Sequence, residues 1–493
     1  MNILLVYPEF PDTYWSFRHA LSFEHKRSAF PPLGLLTISA MLPAAWSRRL
    51  VDMNIEALTL RDIEWADIVF CSAMLVQRDS LQRIIALTKA CGKKVAVGGP
   101  YISTAAESLP GADHIFVGEA EETLPEFVRD LENGKARRVY NATERPALSA
   151  TPLPHFKLAS LKHYSSMSVQ YSRGCPFQCE FCDIIEIYGR VPRTKSNQQM
   201  LDELDALCRT GWRGPVFIVD DNFIGNKRNV KNFLPELADW SKRNGRPFSF
   251  FTEASVNLAE DDELLELMRR AGFYRVFLGI ETPVKESLKE AQKGQNTRSD
   301  LLKSVRKVQS YGMEVMAGFI IGFDNDPEDI FERQVNFIRE SAIPLAMVGL
   351  LTALPQTQLW RRLQREGRLL KESTGNNTDG SLNFIPRMDP TRLIEGYKSL
   401  LRTIYSPAEY YQRALECLRR LPVANQPQRR HPIRDLTALV RVIVALGVRD
   451  RERGEFWRYM GSVATSHREA FARAVILAAM GYHFRKLTED YCR

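Results

Sequence analysis

The sequence predicts an α/β protein in three parts: an N-terminal Rossmann-like, doubly wound parallel sheet, a central partial (β/α)6 barrel and a C-terminal α-helical domain. Short apolar runs alternate with helical patterns, stop at a proline-containing connector and then restart with longer units. Strand signals end after Pro355. With 493 residues the chain is too long for one ordinary domain. We expect a first domain over residues 1–133, a linker over 134–167, a barrel over 168–355 and helices over 356–493.

The first 133 residues contain five apolar runs that we predict to be strands, with helical patterns such as 80–91 and 121–132 between them. The runs are 3–7, 49–52, 67–72, 94–98 and 114–118. Doubly wound parallel sheets bind ligands at the carboxyl ends of their strands, where glycines allow a close approach of the backbone. The turn residues at these ends are therefore candidate ligand contacts: Ser72, Gly98, Gly99, Gly118 and Glu119.

The second series has six strand signals, separated by helical patterns such as 198–209, 262–270 and 300–311. The strands are expected at 168–172, 216–220, 249–253, 275–280, 314–321 and 345–351. Six such units predict an open or partial barrel, with its chemistry at the C-terminal strand ends. After it come a helix at 358–366, a loop at 371–390 and a helical remainder punctuated by Pro407, Pro422, Pro427 and Pro432.

The formal net charge of +8 is localised. Residues 391–493 hold 19 basic and 10 acidic residues, a net of +9, so the rest of the chain is nearly neutral. An anionic substrate, a reductase or a membrane is therefore expected to meet the chain after Thr391. No nucleic-acid-binding motif is present, so no nucleic acid is expected. The apolar run 471–484 beside Arg485 and Lys486 suits a membrane tether for a lipid enzyme, although core packing is favoured.

The start of the chain and its cysteine content indicate a cytoplasmic protein. Eight cysteines in a chain of this length do not form a disulfide scaffold. The N-terminus lacks the basic and apolar regions of a signal peptide, and no stretch reaches the roughly 18 apolar residues of a membrane span. We therefore expect no transmembrane segment and a reduced, enzyme-sized protein.

Three thiols follow the first strand of the barrel in the spacing C-x3-C-x2-C: Cys175, Cys179 and Cys182. A zinc site needs four ligands, and no fourth Cys or His lies within ten residues. A disulfide leaves one thiol over and contradicts a reduced compartment. A cubane iron–sulfur cluster takes one cysteine per iron, so three would leave one iron open. The spacing therefore favours the cluster.

The segment Arg-Gly-Cys-Pro-Phe-Gln-Cys-Glu-Phe-Cys over 173–182 resembles the motif of radical S-adenosylmethionine (SAM) enzymes. The resemblance implies a [4Fe-4S] cluster whose metal ligands and catalytic residues are Cys175, Cys179 and Cys182. Its open iron would chelate the amino and carboxylate groups of SAM, and Phe181 would pack by the adenine. An electron donor such as flavodoxin or ferredoxin would drive cleavage of SAM to a 5′-deoxyadenosyl radical.

Further segments that resemble this family fall at successive strand ends. They imply SAM contacts at Asp220, Asp221, Glu253, Glu281 and Gly322. Taken singly, these residues are more plausibly helix caps or strand-end carboxylates, but together with the cysteine motif they favour SAM binding. The segment 354–360 resembles the family stretch that closes the barrel, although Gln356 replaces the usual Gly.

The N-terminal part resembles the cobalamin-binding domain of a radical SAM subgroup in the segments 30–36, 51–54, 98–100 and 117–121. The resemblance implies cobalamin at Ser72, Gly98, Gly99, Gly118 and Glu119. Asn54 stands where other cobalamin proteins carry the histidine that ligates cobalt from below, and members of this subgroup often lack that histidine. A Rossmann-like domain without the corrin is the alternative.

The resemblance implies a cobalamin-dependent methyltransferase acting on an unactivated carbon or phosphorus of a small molecule or lipid. Two alternatives stay open. One is a radical SAM enzyme without methyl transfer from cobalamin, which would cyclise or oxidise its substrate or transfer the 3-amino-3-carboxypropyl group of SAM. The other is a non-enzymatic iron–sulfur or cobalamin sensor.

The C-terminal region resembles an uncharacterised domain that follows the barrel in a subset of these proteins. Its aromatic residues either line a substrate site or, as we favour, pack between helices: Tyr405, Tyr410, Tyr411, Trp457, Tyr459, Tyr482 and His483.

Overall fold

The computed structural model describes residues 1–105, 109–376, 378–422 and 432–493, with the side chains of 432–434 left aside. Within them lie two six-stranded parallel sheets and one short antiparallel pair. The strands are β1 (Asn2–Tyr7), β2 (Ser47–Asp52), β3 (Ile68–Ser72), β4 (Lys94–Gly98), β5 (His114–Val117), β6 (Val139–Asn141), β7 (Met167–Val169), β8 (Ser172–Arg173), β9 (Arg193–Thr194), β10 (Gly214–Ile218), β11 (Phe248–Ala254), β12 (Phe273–Glu281), β13 (Glu314–Ile321) and β14 (Leu345–Leu350).

Helices cover both sheets and make up the C-terminal part. They are α1 (Arg18–Leu21), α2 (Leu33–Met41), α3 (Leu60–Trp65), α4 (Arg78–Ala90), α5 (Pro100–Ala105), α6 (Ala120–Glu132), α7 (Ile184–Ile187), α8 (Asn197–Arg209), α9 (Lys227–Arg243), α10 (Asp262–Ala271), α11 (Lys285–Glu290), α12 (Gly294–Thr297), α13 (Leu301–Ser310), α14 (Ile330–Ser341), α15 (Gln358–Arg365), α16 (Pro390–Ile404), α17 (Pro407–Arg420), α18 (Pro432–Val442), a π-helix (Ile443–Arg449), α19 (Arg453–Ser466) and α20 (Phe471–Tyr491).

The N-terminal sheet has the strand order β2-β1-β3-β4-β5-β6, so the order reverses between β1 and β3 as in a doubly wound fold. Its first five strands confirm the predicted runs. The sixth corrects the prediction, because β6 lies inside the predicted linker and pairs with β5. Its three residues hold one buried side chain, Tyr140, between two exposed ones, which is too short a pattern to read from sequence.

The second sheet confirms the partial barrel: its strands follow chain order, from β7 at one edge through β10 to β14 at the other. The prediction of one strand over 168–172 is wrong, because β7 ends at Val169 and β8 pairs with β9 instead. The physical reason is Asp220, whose carboxylate accepts hydrogen bonds from the backbone N–H groups of Tyr171 (2.7 Å) and Ser172 (2.8 Å). These two amides therefore bond to a side chain rather than to a neighbouring strand.

Tyrosine hydroxyls cover the edge strand of the barrel, β14, which would otherwise present unpaired carbonyls. Tyr14 and Tyr397 donate to the carbonyl oxygen of Val348 at 3.0 and 2.8 Å. Tyr405 donates to that of Ala346 at 2.5 Å. The C-terminal helices, together with the segment before α1, thus complete the hydrogen bonding of the barrel edge.

The C-terminal aromatic residues mostly confirm the packing alternative, since Tyr405, Tyr410, Tyr411, Tyr459 and His483 are buried. Trp457 differs, with 49% of its surface exposed.

The run 471–484 lies within α20, where Leu477, Ala478 and Phe484 are fully buried, so core packing is confirmed there too. The part of the predicted helical remainder around Pro427 lies outside the described residues. None of the described helices has the length and apolar character needed to cross a membrane.

Replacing Tyr405 by Phe should lower the stability of the folded protein. The substitution keeps the buried ring but leaves the carbonyl of Ala346 without its side-chain donor, and an unsatisfied buried group costs about 1–3 kcal/mol. Thermal unfolding monitored by circular dichroism should show a lower midpoint. Tyr482→Phe is the matched control, because no hydrogen bond of its hydroxyl is found among the described residues. Equal midpoints for the two variants would contradict this account of the barrel edge.

Candidate active site

The three predicted thiols lie on one loop between β8 and α7, and all three are free. The loop begins at Gly174, whose φ of 97° is left-handed and whose Cβ position would lie 2.9 Å from the carbonyl oxygen of Gly189. That same carbonyl accepts the backbone N–H of Cys175 at 3.2 Å. Glycine is therefore required before Cys175 both for its φ and for the space it leaves.

Two side-chain amides point at the sulfurs, Asn222 from the loop after β10 and Gln295 from α12. Asn222 Nδ2 lies 3.7 Å from Cys175 Sγ, and Gln295 Nε2 lies 3.7 Å from Cys179 Sγ. Hydrogen bonds to sulfur help to set the properties of an iron–sulfur cluster. Three neighbouring thiols with amide donors fit the ligand set of a [4Fe-4S] cluster. No three His, Cys, Asp or Glu side chains within the described ranges form a site for a single metal ion.

Four charged residues join the cysteine loop to the N-terminal domain, and we call them the arginine–glutamate bridge: Arg173, Arg193, Glu119 and Glu121. Arg173 pairs with Glu119 at 2.7 Å and with Glu121 at 2.8 Å, while Arg193 pairs with Glu119 at 2.6 Å. All four side chains are largely buried. The carboxylate of Glu119 is therefore committed to two arginines, and its part in holding cobalamin stays a prediction.

Helix α15 holds the opposite side of the loop. Arg362 Nε lies 2.6 Å from a carboxylate oxygen of Glu180, the residue after Cys179. The backbone N–H of Leu359 donates to the carbonyl of Glu180 at 2.8 Å. The loop is thus fixed between the N-terminal domain and the first helix after the barrel.

Two predicted SAM contacts are carboxylates without an ion-pair partner in the described part of the chain. The Oδ2 atom of Asp221 is buried and has no hydrogen bond. Burial, and secondarily Asp220, raises the pKa of Asp221 to about 7. Burial, followed by Asp221, raises the pKa of Glu253 to about 8. An ammonium group of a ligand would compensate both carboxylates.

Glu281, a third predicted contact, already has a cationic partner. Its carboxylate forms a buried ion pair with Lys293, whose Nζ lies 5.8 Å from the ring centroid of Phe181. Glu281 has a φ of 64°, uncommon for a residue other than glycine. A Cβ on Gly279 would lie 2.5 Å from both Glu281 Oε1 and Lys293 Nζ, so that glycine gives the ion pair its room.

The remaining predicted SAM residues have structural partners, and their contacts with SAM stay predictions. Both carboxylate oxygens of Asp220 accept hydrogen bonds from the start of β8. The backbone N–H of Gly322 donates to Asp326 at 2.8 Å. Phe181 packs near Phe323, with 6.3 Å between ring centroids.

The predicted cobalamin residues Ser72, Gly98 and Gly118 lie at the ends of β3, β4 and β5, with Gly99 next to them. Gly99 has a φ of 104°, and its Cβ position would be 2.7 Å from Ser72 Oγ and 2.9 Å from the backbone N of Ala73. The strand ends therefore approach each other more closely than any side chain at position 99 would permit. The contacts of these residues with cobalamin stay predictions.

Asn54 stands in place of a cobalt-ligating histidine, and its side chain forms hydrogen bonds with neighbouring N-terminal loops. Its Nδ2 donates to Asp52 Oδ1 at 2.7 Å, and its Oδ1 accepts the backbone N–H of Phe10 at 2.9 Å. The donor set at this position fits a cobalamin held by backbone contacts and not by a side-chain ligand from Asn54.

The fold and this site define a class of enzyme: a partial barrel with a cluster-binding cysteine loop, joined to a Rossmann-like ligand-binding domain. Three family models match the chain. They are the B12 binding domain over residues 26–128, the radical SAM superfamily over 169–338 and a domain of unknown function over 357–493.

Relatives extend over nearly the whole chain. An uncharacterized methyltransferase of Synechocystis is 45% identical over 99% of this chain and 92% of its own length. A hopanoid C-2 methylase of Rhodopseudomonas palustris is 38% identical over 93% of this chain and 88% of its own length. The chain belongs to the family of cobalamin-dependent radical SAM methyltransferases.

Solved structures share the fold. The cobalamin-dependent SAM radical enzyme OxsB with aqua-cobalamin bound aligns with a TM-score of 0.65 and 16% identity, covering 99% of this chain and 80% of its own. The radical SAM methyltransferase TsrM from Kitasatospora setae aligns at 0.60 and 15%, covering 76% and 77%.

Family membership confirms the predicted cofactors: a [4Fe-4S] cluster, SAM and cobalamin. It also establishes an enzyme, so the sensor alternative is not retained.

Sequence reasoning missed the polar residues that support the site. Gln295 and Lys293 carry no local pattern: Gln295 contacts Cys179, 116 residues earlier, and Lys293 contacts Glu281, 12 residues earlier at the end of β12. Asn222 directly follows the predicted Asp220-Asp221 pair, and its position at a strand end was the available signal.

Replacing Cys175, Cys179 or Cys182 by Ala should abolish cluster binding, since each supplies one iron ligand. Iron content and the visible absorbance of anaerobically reconstituted protein measure this. Cys208→Ala, at a partly buried cysteine on α8, should retain full iron. Normal iron content in any of the three variants would overturn the ligand assignment.

Gly99→Ala should reduce cobalamin uptake, because the added Cβ would press on Ser72 and Ala73. Gly92→Ala is a matched control: its φ of 66° is also left-handed, but a Cβ there meets nothing within 4 Å. Bound hydroxocobalamin is quantified from its absorbance after desalting, with circular dichroism as a check on folding. Full uptake by the Gly99 variant would place the corrin elsewhere.

Proposed function

We propose that this enzyme transfers a methyl group from cobalamin to an unactivated carbon of an apolar, ring-rich lipid such as a polycyclic triterpenoid. The observation that carries the proposal is an aromatic wall on the barrel strands and the segments beside them, defined as Trp15, Phe30, Phe217, Phe251 and Phe277.

The aromatic wall is built by side chains from three adjacent strands and two N-terminal segments. The rings of Phe217 on β10 and Phe251 on β11 stack at 4.7 Å with an interplanar angle of 2°. Trp15 lies 5.3 Å from Phe277 on β12, and Phe30 lies 5.2 Å from Phe217. Apolar and aromatic surfaces with few polar groups are typical of ligand sites.

The aromatic wall adjoins the polar groups of the site. Side chains two residues apart on a strand share a face, so Glu253 follows Phe251 on the same side of β11. A Cβ at Gly318 would lie 3.0 Å from Phe277 and 3.9 Å from Glu281 Oε2. The ring of Phe277 and the carboxylate of Glu281 therefore both lie beside Gly318. An apolar substrate on these rings would therefore lie beside the predicted SAM contacts.

When bound, the cluster and cobalamin supply one-electron cleavage of SAM and a transferable methyl group. The chain's own residues have separable parts in this proposal. Asp221 and Glu253 would bind the SAM ammonium group, and Glu281 with Lys293 would orient its ribose end. The aromatic wall would hold the substrate and exclude water from the radical.

One relative supports this substrate class. The relative named as a hopanoid C-2 methylase acts, by that name, on a carbon of a polycyclic lipid, and it aligns with 93% of this chain. An electron donor such as flavodoxin or ferredoxin and a cytoplasmic location complete the proposal.

Anaerobic turnover with SAM carrying a deuterated methyl group tests the proposal. Holoenzyme, reductant and a hopanoid lipid should give labelled lipid together with 5′-deoxyadenosine and S-adenosylhomocysteine, measured by mass spectrometry. Deoxyadenosine without label in the lipid would favour cyclisation or oxidation, and methylthioadenosine would indicate aminocarboxypropyl transfer. Either outcome overturns methyl transfer.

The same assay tests the aromatic wall. Phe251→Ala should lower lipid methylation by about tenfold or more, as expected for loss of apolar pocket contacts, while SAM cleavage continues. Phe251→Leu keeps apolar volume and should recover much of the activity. Equal loss of cleavage and methylation in both variants would show that the ring serves folding only.

A further inference from the structure

The C-terminal part presents an exposed apolar surface that the proposed chemistry does not use. We call it the apolar stripe and define it as Leu436, Val440, Val448 and Trp457. These side chains are 60%, 50%, 59% and 49% exposed. Large apolar side chains with this exposure, gathered on consecutive helices, indicate an interaction surface.

The stripe lies on one side of a helix whose other side is packed. Val442 and Leu446 are each 2% exposed, and α18 packs against the short helical turn Ser22–Glu24. Arg441 Nη1 donates to the carbonyl of Phe23 at 3.2 Å on that packed side. The exposed residues are therefore an outward face and not part of the core.

Trp457 extends the stripe from the π-helix onto α19. Its Nε1 donates to the carbonyl of Gly447 at 2.8 Å, and a Cβ on Gly447 would lie 2.9 Å from its ring. The indole is thus held next to Val448 with its polar atom satisfied and half of its surface exposed. Indole rings placed in this way are enriched at membrane interfaces.

Three exposed arginines lie between Val448 and Trp457 in the sequence, and we call them the arginine rim: Arg449, Arg451 and Arg453. None forms an ion pair among the residues that the structure describes. Nearby arginines differ, since Arg458 pairs with Glu455 and Arg485 with Asp450. Glu452 is the one acidic residue inside the rim without an ion pair in the described chain, so the rim is net cationic.

We propose that the apolar stripe and the arginine rim together dock this enzyme onto an anionic lipid bilayer. Apolar side chains beside exposed cations match the acyl and headgroup regions of such a surface. A second copy of the chain would bring two arginine rims together, and nucleic acid would leave the stripe uncovered. Both are therefore less well matched than a membrane.

The surface adjoins the N-terminal segment that carries part of the aromatic wall. Helix α18 rests on Ser22–Glu24, in the stretch between Trp15 and Phe30 of the aromatic wall. A lipid taken from the bilayer would thus meet the segment that lines the substrate side of the barrel. Docking itself needs no turnover, so its test is independent of the proposed reaction.

Co-sedimentation of the full-length holoenzyme with vesicles tests the proposal. Binding is expected to vesicles of phosphatidylcholine with phosphatidylglycerol and not to phosphatidylcholine alone, and salt should weaken it. Replacing Arg449, Arg451 and Arg453 by Gln should reduce the affinity by roughly fivefold per residue. Replacing Leu436, Val440 and Val448 by Gln should lower the binding that persists at high salt.

Two matched controls test whether loss of binding is specific to the arginine rim and the apolar stripe. Lys242, Arg243 and Arg246 are exposed cations without ion pairs in the described chain at the end of α9, and their replacement by Gln should leave binding unchanged. Leu60→Gln, at a side chain 53% exposed, should do the same. All variants replace exposed side chains and should fold, as checked by thermal unfolding.

Several outcomes would overturn the proposal. These are equal binding to neutral and anionic vesicles, no binding, or an equal loss in the α9 control. A dimer in light scattering that the stripe substitutions dissolve would assign the surface to a second copy. A salt-sensitive complex with duplex DNA that the rim substitutions abolish would assign it to nucleic acid.

Discussion

The arginine–glutamate bridge is the constraint on which the relative placement of the two cofactor domains depends. Arg173 lies two residues before the first thiol, and Glu119 follows Gly118 at the end of β5. The same ion pairs therefore touch the cysteine loop and the glycine turn of the N-terminal sheet. Separating the two domains would remove the ion-pair partners of these four charges. This is unfavourable because buried charges are costly unless they are paired. The bridge makes the barrel and the N-terminal sheet one unit.

The C-terminal helices complete this unit from the opposite side. Arg362 binds Glu180 within the cysteine loop, while Tyr397 and Tyr405 cap carbonyls of the edge strand β14. An open barrel of six strands has a free edge and a free loop, and both are covered by residues that follow the barrel in sequence. The C-terminal domain is accordingly part of the catalytic fold, whatever else its outer surface binds.

Much of this arrangement was predictable because its signals are local. Buried parallel strands are continuous apolar runs, and β4 and β13 have the predicted ends. Three thiols at fixed spacing indicate a cluster without knowledge of the fold. Two predictions were wrong for different reasons. Strand β6 is only three residues long. The break between β7 and β8 is caused by a tertiary contact with Asp220, about fifty residues later in the chain. Gln295 could not be found for the same reason, since its contact with Cys179, 116 residues earlier, is made only after the strands assemble.

The carboxylates at the strand ends show why a residue's type is weaker evidence than its partners. Asp220, Asp221, Glu253 and Glu281 look alike in sequence, each following an apolar run. In the fold, Asp220 accepts hydrogen bonds from backbone N–H groups, and Glu281 forms an ion pair with Lys293. Asp221 and Glu253 are half-buried and form no ion pair among the described residues. Burial, followed by Asp220, raises the pKa of Asp221, and burial, followed by Asp221, raises that of Glu253. A positively charged ligand would stabilise the ionised form of this pair far more than that of the other two. A cationic ligand is therefore expected to be stabilised most strongly at Asp221 and Glu253, and less at the other strand-end carboxylates.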